Sequence, residues 1–195
     1  MWEETGAWMN RAIQKGIARG CGYGQSLYQY IEEHKDQFPF YEQCVVYQAW
    51  AHQIPATYHI ALGTDIIHQH PTADFAALGK ATGRDFHSFC ESVAALKGGV
   101  FLNFGSSVIG PEVFLKALSI ARNLGYDTKK ITTANFDLFP IDPPEKKLTY
   151  SQPQYYYRPR KNIVIRPTSQ GGTGLHFSGD HKETIPAIYD KLVRS

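Results

Sequence analysis

The chain has 195 residues, of which 43% are hydrophobic, 13% aromatic and 19% charged, with a formal net charge of +2. This is material for one core of domain size, and it excludes a disordered chain, a collagen-like repeat and a long coiled coil. No apolar run approaches the ~20 residues that span a bilayer, and the opening Met-Trp-Glu-Glu-Thr carries acids where a secretory leader carries bases, so a cytoplasmic protein without a membrane partner is expected. Cys21, Cys44 and Cys90 are scattered and form no C-x-x-C pair, so they are read as small apolar side chains in or near the core, not as a disulfide framework or zinc site. Charge is uneven. Residues 1–98 hold 7 bases and 10 acids, residues 99–195 hold 13 and 8, and residues 146–166 hold six bases and no acid. That local excess suits an anionic ligand and is too weak overall to indicate a nucleic-acid protein.

In chain order, residues 3–18 place Trp8, Met9, Ala12, Ile13 and Ile17 on one helical stripe, ended by Gly20, Gly22 and Gly24. A second helix is expected over 26–35, with Leu27, Tyr30 and Ile31 inward, and a third over 41–52. Residues 56–62, Ala-Thr-Tyr-His-Ile-Ala-Leu, follow Pro55, end at Gly63 and read as a buried strand. Two short helices follow, over 72–80 and 83–96. Residues 99–104 form the clearest strand, continuously apolar as in a sheet covered on both faces. The turn 105–110 leads to a helix with Pro111 at its first position and Glu112 beside it, stopping at Gly125. Further strands are expected over 130–136 and 162–166, a weaker one over 176–179, and a closing helix over 184–193.

Strands alternating with helices of this length indicate βαβ units. The expected fold is one α/β domain over residues 1–195, a parallel sheet with helices on both faces. Residues 139–161, with five prolines and the run Tyr155-Tyr156-Tyr157, stand out as a long loop of the kind that is functional or mobile.

The stretches Ile60-Ala-Leu-Gly-Thr-Asp-Ile-Ile-His-Gln-His-Pro71 and Gly98-Gly-Val-Phe-Leu-Asn-Phe-Gly-Ser-Ser-Val-Ile-Gly-Pro-Glu-Val-Phe-Leu-Lys-Ala-Leu118 together resemble a family of uncharacterised bacterial proteins. Ala121-Arg-Asn-Leu-Gly125, Thr133-Ala-Asn-Phe-Asp137, Tyr157-Arg-Pro159, Asn162-Ile-Val-Ile-Arg-Pro167, Gly179-Asp-His181 and Ile185-Pro186 continue the resemblance. It covers nearly the whole chain outside residues 139–156, which read as an insertion. It implies a Rossmann-like fold related in architecture to the nucleotide-binding fold of deoxyhypusine synthase, shortened here at the N-terminus. The catalytic-lysine motif of deoxyhypusine synthases is absent, so that activity does not follow from the resemblance.

In an open parallel sheet, ligands sit beyond the carboxyl ends of the strands. Asn103, Gly105, Ser106 and Ser107 end the strong strand, and the helix after them offers free N–H groups to an anion. The segment has G-x-x-x-x-G but Pro-Glu in place of Lys-Ser/Thr, so it is not a Walker loop. The alternative is an ordinary Gly-Ser turn capped by its hydroxyls. Asp65, His68 and His70 follow another expected strand and are the candidate catalytic groups, as general acid/base or through His-x-His as metal ligands. Hydrogen-bonded structural histidines with a capping Asp65 are the other reading. Asn135 and Asp137 end the third strand, where an acid takes a ribose hydroxyl or caps the loop. Arg158 and Arg166 could grip a phosphate, or belong to a solvated basic loop. Asp180 and His181 read as a helix cap or as a further catalytic histidine.

The sequence therefore leads to a protein that binds a nucleotide or another phosphorylated small molecule at the carboxyl edge of its sheet, with a nucleotide as the possible cofactor and Asp65, His68 and His70 opposite the anion. A metal-dependent hydrolase or lyase built on the His-x-His segment is the rival, and a non-catalytic subunit completing an oligomer is the third reading. An open strand edge on a shortened domain predicts a homo-oligomer.

Overall fold

The stripe of Ala12, Ile13 and their neighbours folds as α1 (Trp2–Ala18), and α2 (Tyr23–Glu33) packs against it. Gly16 allows the close approach, since a Cβ there would lie 1.9 Å from Ser26 Oγ. Two 3-10 turns at Lys35–Gln37 and Tyr41–Gln43, α3 (Val45–Ala51), a third 3-10 turn at Ile66–Gln69 and α4 (Phe75–Ala94) follow. The computed structural model describes residues 2–194. It divides into two units, Met1–Phe89 and Cys90–Ser195. No helix among the described residues is long and apolar enough to cross a membrane.

In the first unit, Ile13, Tyr23, Ile67, Ala77, Leu78 and Ala81 form the buried core. Residues 56–62, expected as a strand, pair with no strand among the described residues, and the chain turns at Leu62. Their backbone groups bond to side chains of α4 instead. Tyr58 N–H donates to Asp85 Oδ2 at 2.7 Å, Ile60 N–H donates to Thr82 Oγ1 at 3.2 Å, and that hydroxyl donates to the Tyr58 carbonyl at 2.6 Å. Thr82 and Asp85 lie three apart on one helical face, so a helix supplies what a neighbouring strand would have offered. The carboxylate of Asp85, 3% exposed, also accepts from the N–H groups of Tyr23 and Gly24, which open α2. Gly22, the N-cap of α2, has no side chain to do this. Burial drives the Asp85 carboxyl above its ordinary range despite these bonds. The two helices expected over 72–80 and 83–96 are one, because Gly79 and Gly83 keep ordinary negative φ and only weaken α4 without ending it.

The second unit is a mixed α/β fold, a three-stranded parallel sheet flanked by helices. Its strands are β1 (Val100–Phe104), β2 (Thr132–Asp137) and β3 (Thr173–Ser178), in the order β1-β2-β3. The register aligns Leu102, Ala134 and Leu175, then Asn103, Asn135 and His176, then Phe104, Phe136 and Phe177. Successive residues face opposite sides, so the sheet has one apolar and one mixed face. α5 (Ile109–Asn123) and the π-helical segment Pro159–Ile165 cover the mixed face, where Phe101 stacks on Phe114 at 3.7 Å and Thr133 Oγ1 donates to the Ile163 carbonyl. α6 (His181–Val193) follows β3 and lies against the apolar face. On that face Phe104, Phe136 and Phe177 form a continuous stack, with centroids 4.4 and 4.9 Å apart.

Residues 162–166 are therefore not a strand. Ile163 and Val164 are buried as a strand's residues would be, but the segment is wound, with Arg166 N–H bonded to the Lys161 carbonyl five residues back. An apolar run this short satisfies either geometry. Pro111 occupies the third helical position, not the first, because α5 starts at Ile109. Gly125, at φ +86°, closes α5, with Tyr126 N–H returning to the Ala121 carbonyl. The long loop has an interior: Arg160, 5% exposed, donates to the carbonyls of Asp142, Pro143 and Lys146 at 2.8–3.0 Å.

Candidate functional site

The candidate residues fall into two groups, one in each unit. In the first unit, Asp65, His68 and His70 are engaged locally. Asp65 Oδ1 accepts from Ile67 N–H, and His68 Nδ1 accepts from the N–H groups of Gly63 and Asp65 at 3.0 and 3.1 Å. Together they form a reciprocal cap on the 3-10 turn. Since Nδ1 of His68 accepts, its proton sits on Nε2. His70 Nδ1 meets the Thr72 hydroxyl at 2.7 Å and accepts from Thr72 N–H at 3.1 Å, and its ring packs on Gly6. No group of three or more His, Cys, Asp or Glu side chains among the described residues is placed to hold a metal ion.

In the second unit, the carboxyl edge of the sheet gathers most of the remaining candidates. Gly105 turns out of β1 at φ +65°, a conformation that suits glycine. A Cβ at this position would lie 3.1 Å from Nε2 of His181, the first residue of α6. Asp180 caps α6 by accepting from Lys182 N–H, which leaves His181 free to face the turn. Its ring meets Phe104 edge-on, and its Nδ1 is buried without a partner. Ser106 Oγ accepts from Gly110 N–H at 2.8 Å, and Pro111 has no N–H, so the start of α5 offers less to a ligand than a helix end normally does. The turn itself supplies donors in compensation. The backbone N–H groups of Ser106, Ser107 and Val108 make no hydrogen bond among the described residues. Where consecutive free N–H groups converge, they form an anion-binding concavity.

Asp137, 8% exposed, ends β2 beside this turn. Its Oδ2 accepts from the Tyr157 hydroxyl at 2.5 Å, and the Ser107 side chain bonds the same hydroxyl. Burial first, and the bond to Asp137 second, push the Tyr157 phenol up to about 12. Tyr157 thus draws the end of the long loop to the sheet edge.

Behind the edge runs a polar ladder across all three strands. Asn103 Nδ2 donates to Asn135 Oδ1 at 2.6 Å and to the Ser106 carbonyl at 3.0 Å. Asn135 Nδ2 bonds His176 Nδ1 at 3.0 Å, and His176 Nε2 meets the Phe139 carbonyl at 3.0 Å. A carbonyl only accepts, so the His176 proton is on Nε2 and Nδ1 accepts, and donation runs outward from Asn103, to the Ser106 carbonyl on one side and through Asn135 and His176 to the Phe139 carbonyl on the other. The ladder fixes the Ser106 turn at one end and the start of the long loop at the other.

The two arginines separate. Arg158 Nε donates to Glu112 Oε1 at 2.9 Å in the first turn of α5, near the candidate edge. Lys116 chiefly, with Arg158, holds the Glu112 carboxyl below its usual range. Arg166 is exposed and adjoins Pro167, whose carbonyl accepts from Arg122 in the last turn of α5. That end of α5 lies at the amino edge of the sheet, so Arg166 is not brought to the Gly105 turn. Sequence reasoning placed Asn103, Gly105, Ser106, Ser107, Asn135 and Asp137 at one sheet edge, and the structure brings them together. It missed His176 and the Tyr157 hydroxyl as members of the cluster. The signal for His176 was a polar residue inside an apolar strand, as at Asn103 and Asn135.

No protein-family model matches the chain, and no curated protein or solved structure matches it.

Proposed function

We propose that the unit Cys90–Ser195 binds a nucleotide or another phosphorylated small molecule at the carboxyl edge of its parallel sheet. The observation that carries this reading is the turn after β1: Gly105 in the left-handed region, followed by three consecutive unpaired N–H groups at Ser106, Ser107 and Val108. A helix start favours negative charge by about 0.3–1 kcal/mol when exposed and up to about 2 when partly buried, and free N–H groups in a turn act in the same sense. His181 Nε2 stands at the same glycine as a further polar contact, and Asp137, which accepts from the Tyr157 hydroxyl and from Phe139 N–H, ends the neighbouring strand at the same edge. A Rossmann-like relationship, which the resemblance of residues 98–118 to a family of uncharacterised bacterial proteins implies, would account for this placement at the end of the first strand.

The test is calorimetric titration of the full chain with inorganic phosphate, sugar phosphates and nucleoside phosphates. Binding in the micromolar-to-millimolar range is expected for at least one of them. Gly105→Val forces a branched side chain into a left-handed backbone and toward His181, and abolishes binding. Ser106→Ala frees Gly110 N–H and only weakens it. Failure of the whole panel to bind, or undiminished binding by a folded Gly105→Val variant, refutes the assignment.

A further inference from the structure

The last helix stands off the sheet. No residue of α6 is buried, although the helix lies against the apolar face of β2 and β3. Between them is a cavity of about 590 Å³, within the range that accepts small organic ligands. Its floor is Phe136 and Phe177, the last two rings of the aromatic stack, and Phe177 is left 45% exposed. Its roof includes Thr184, Ala187, Ile188 and Lys191, on the same stripe of α6 as His181.

His181 stands at the proposed anion turn, one helical turn before Thr184, and does not itself line the cavity. Its Nε2 faces Gly105, and Thr184 lies one turn further along α6, roughly 5 Å away by helical rise. Lys191 is about 10 Å beyond Thr184. Two polar atoms at this inner end, His181 Nδ1 and Thr184 Oγ1, are shut from solvent with no partner. Buried unpaired groups are few in folded proteins and call for a partner.

An alkyl chain would leave both of these atoms unpaired. A bare sugar would leave Phe177 and Ile188 in water. A planar heterocycle meets both demands, with its face on Phe177 and its ring nitrogens or oxygens toward Thr184 and His181. We infer that this cavity holds the base of a nucleotide whose phosphate occupies the turn at Ser106–Val108. The inference rests on the reading of the carboxyl edge given above and narrows its ligand from phosphorylated molecules in general to nucleotides.

The experiment titrates the full chain with adenosine 5′-monophosphate, ribose 5-phosphate and inorganic phosphate. Adenosine 5′-monophosphate is expected to bind at least 10-fold more tightly than ribose 5-phosphate. Ala187→Trp, at an exposed helical position, fills the cavity, and Phe177→Ala removes its floor. Each is expected to bring the nucleotide down to the affinity of the sugar phosphate. The two changes lie on different elements, and circular dichroism confirms that each variant is folded. Equal binding of the nucleotide and the sugar phosphate by the native chain overturns the cavity assignment and leaves the anion turn standing. Tight nucleotide binding that neither folded variant weakens overturns it too. Absence of binding by all three ligands removes the edge reading itself, and this inference with it.

Discussion

Asn135 is the middle rung of the polar ladder and is fully buried. Asn135→Leu keeps the volume and removes two bonds, one accepted from Asn103 and one donated to His176. One N–H of Asn103 and the Nδ1 lone pair of His176 then face hydrocarbon, at about 1–3 kcal/mol each. Burying the new side chain returns about 1.5–3 kcal/mol, which leaves a net loss of about 2 kcal/mol. For a chain of this length that lowers the melting temperature by roughly 4–8 °C. The three tryptophans, Trp2, Trp8 and Trp50, all lie in the first unit, so far-UV circular dichroism in urea is the suitable probe. Asn135→Asp tests the direction of the bonds. A carboxylate still accepts from Asn103, but it faces the lone pair of His176 until the imidazole takes a second proton. The folded variant therefore binds that proton more tightly than the unfolded chain, whose histidines titrate near pH 6.5. Its stability relative to the native chain is greatest below about pH 6.5 and falls as pH rises to 8. A pH-independent deficit for Asn135→Asp, or an Asn135→Leu variant within about 0.5 kcal/mol of the native chain, would refute the assigned ladder.

Asp85→Ala strands the N–H groups of Tyr23, Gly24 and Tyr58 and is expected to cost the first unit about 3–5 kcal/mol, seen as a lower urea midpoint by tryptophan fluorescence, with Asp85→Asn costing less. Burial against Phe86 and Phe89 holds the His59 imidazole below its ordinary value, so the unfolded chain takes the proton first and stability falls as pH drops below about 6.5. His59→Phe should flatten that fall in melting temperature between about pH 7 and 5, and an unchanged slope would show that His59 does not contribute. Arg160→Ala should release the long loop, read as cleavage within residues 138–158 under limited proteolysis at least about 10-fold faster than in the native chain, and Arg160→Lys should not restore resistance because one ammonium cannot span the same carbonyls.

What the sequence made legible follows from which signals are local. β1, α5 and α6 carry their periodicity and their stops within themselves, as in Gly125 after α5 and Asp180 before α6. Residues 56–62 and 162–166 are apolar and β-branched, but whether such a run becomes a strand depends on what lies beside it. For Tyr58 and Ile60 the neighbour is the Thr82–Asp85 face of a helix. For Ile163 it is the hydroxyl of Thr133, 30 residues away. At the candidate site, Gly105 and Asp137 were found because strand ends can be located from turn residues. The ladder was not, because the register that aligns Asn103, Asn135 and His176 is a property of the assembled sheet. The uses of Arg160 and Arg158 were hidden for the same reason: a guanidinium turned toward loop carbonyls or Glu112 looks in the sequence like any surface base.

The strands of the second unit succeed one another in space as they do along the chain, with partners offset by 32 residues between β1 and β2 and by 41 between β2 and β3. No strand has to be threaded between two others already formed. β1 and β2, with α5 between them, make a complete βαβ unit by Asp137, before the tyrosine-rich loop or β3 has left the ribosome. Assembly can thus proceed in the direction of synthesis, each strand finding its site on the edge most recently laid down. The ladder is written in the same order, asparagine, asparagine, then histidine, so its final bond closes only when the last strand arrives.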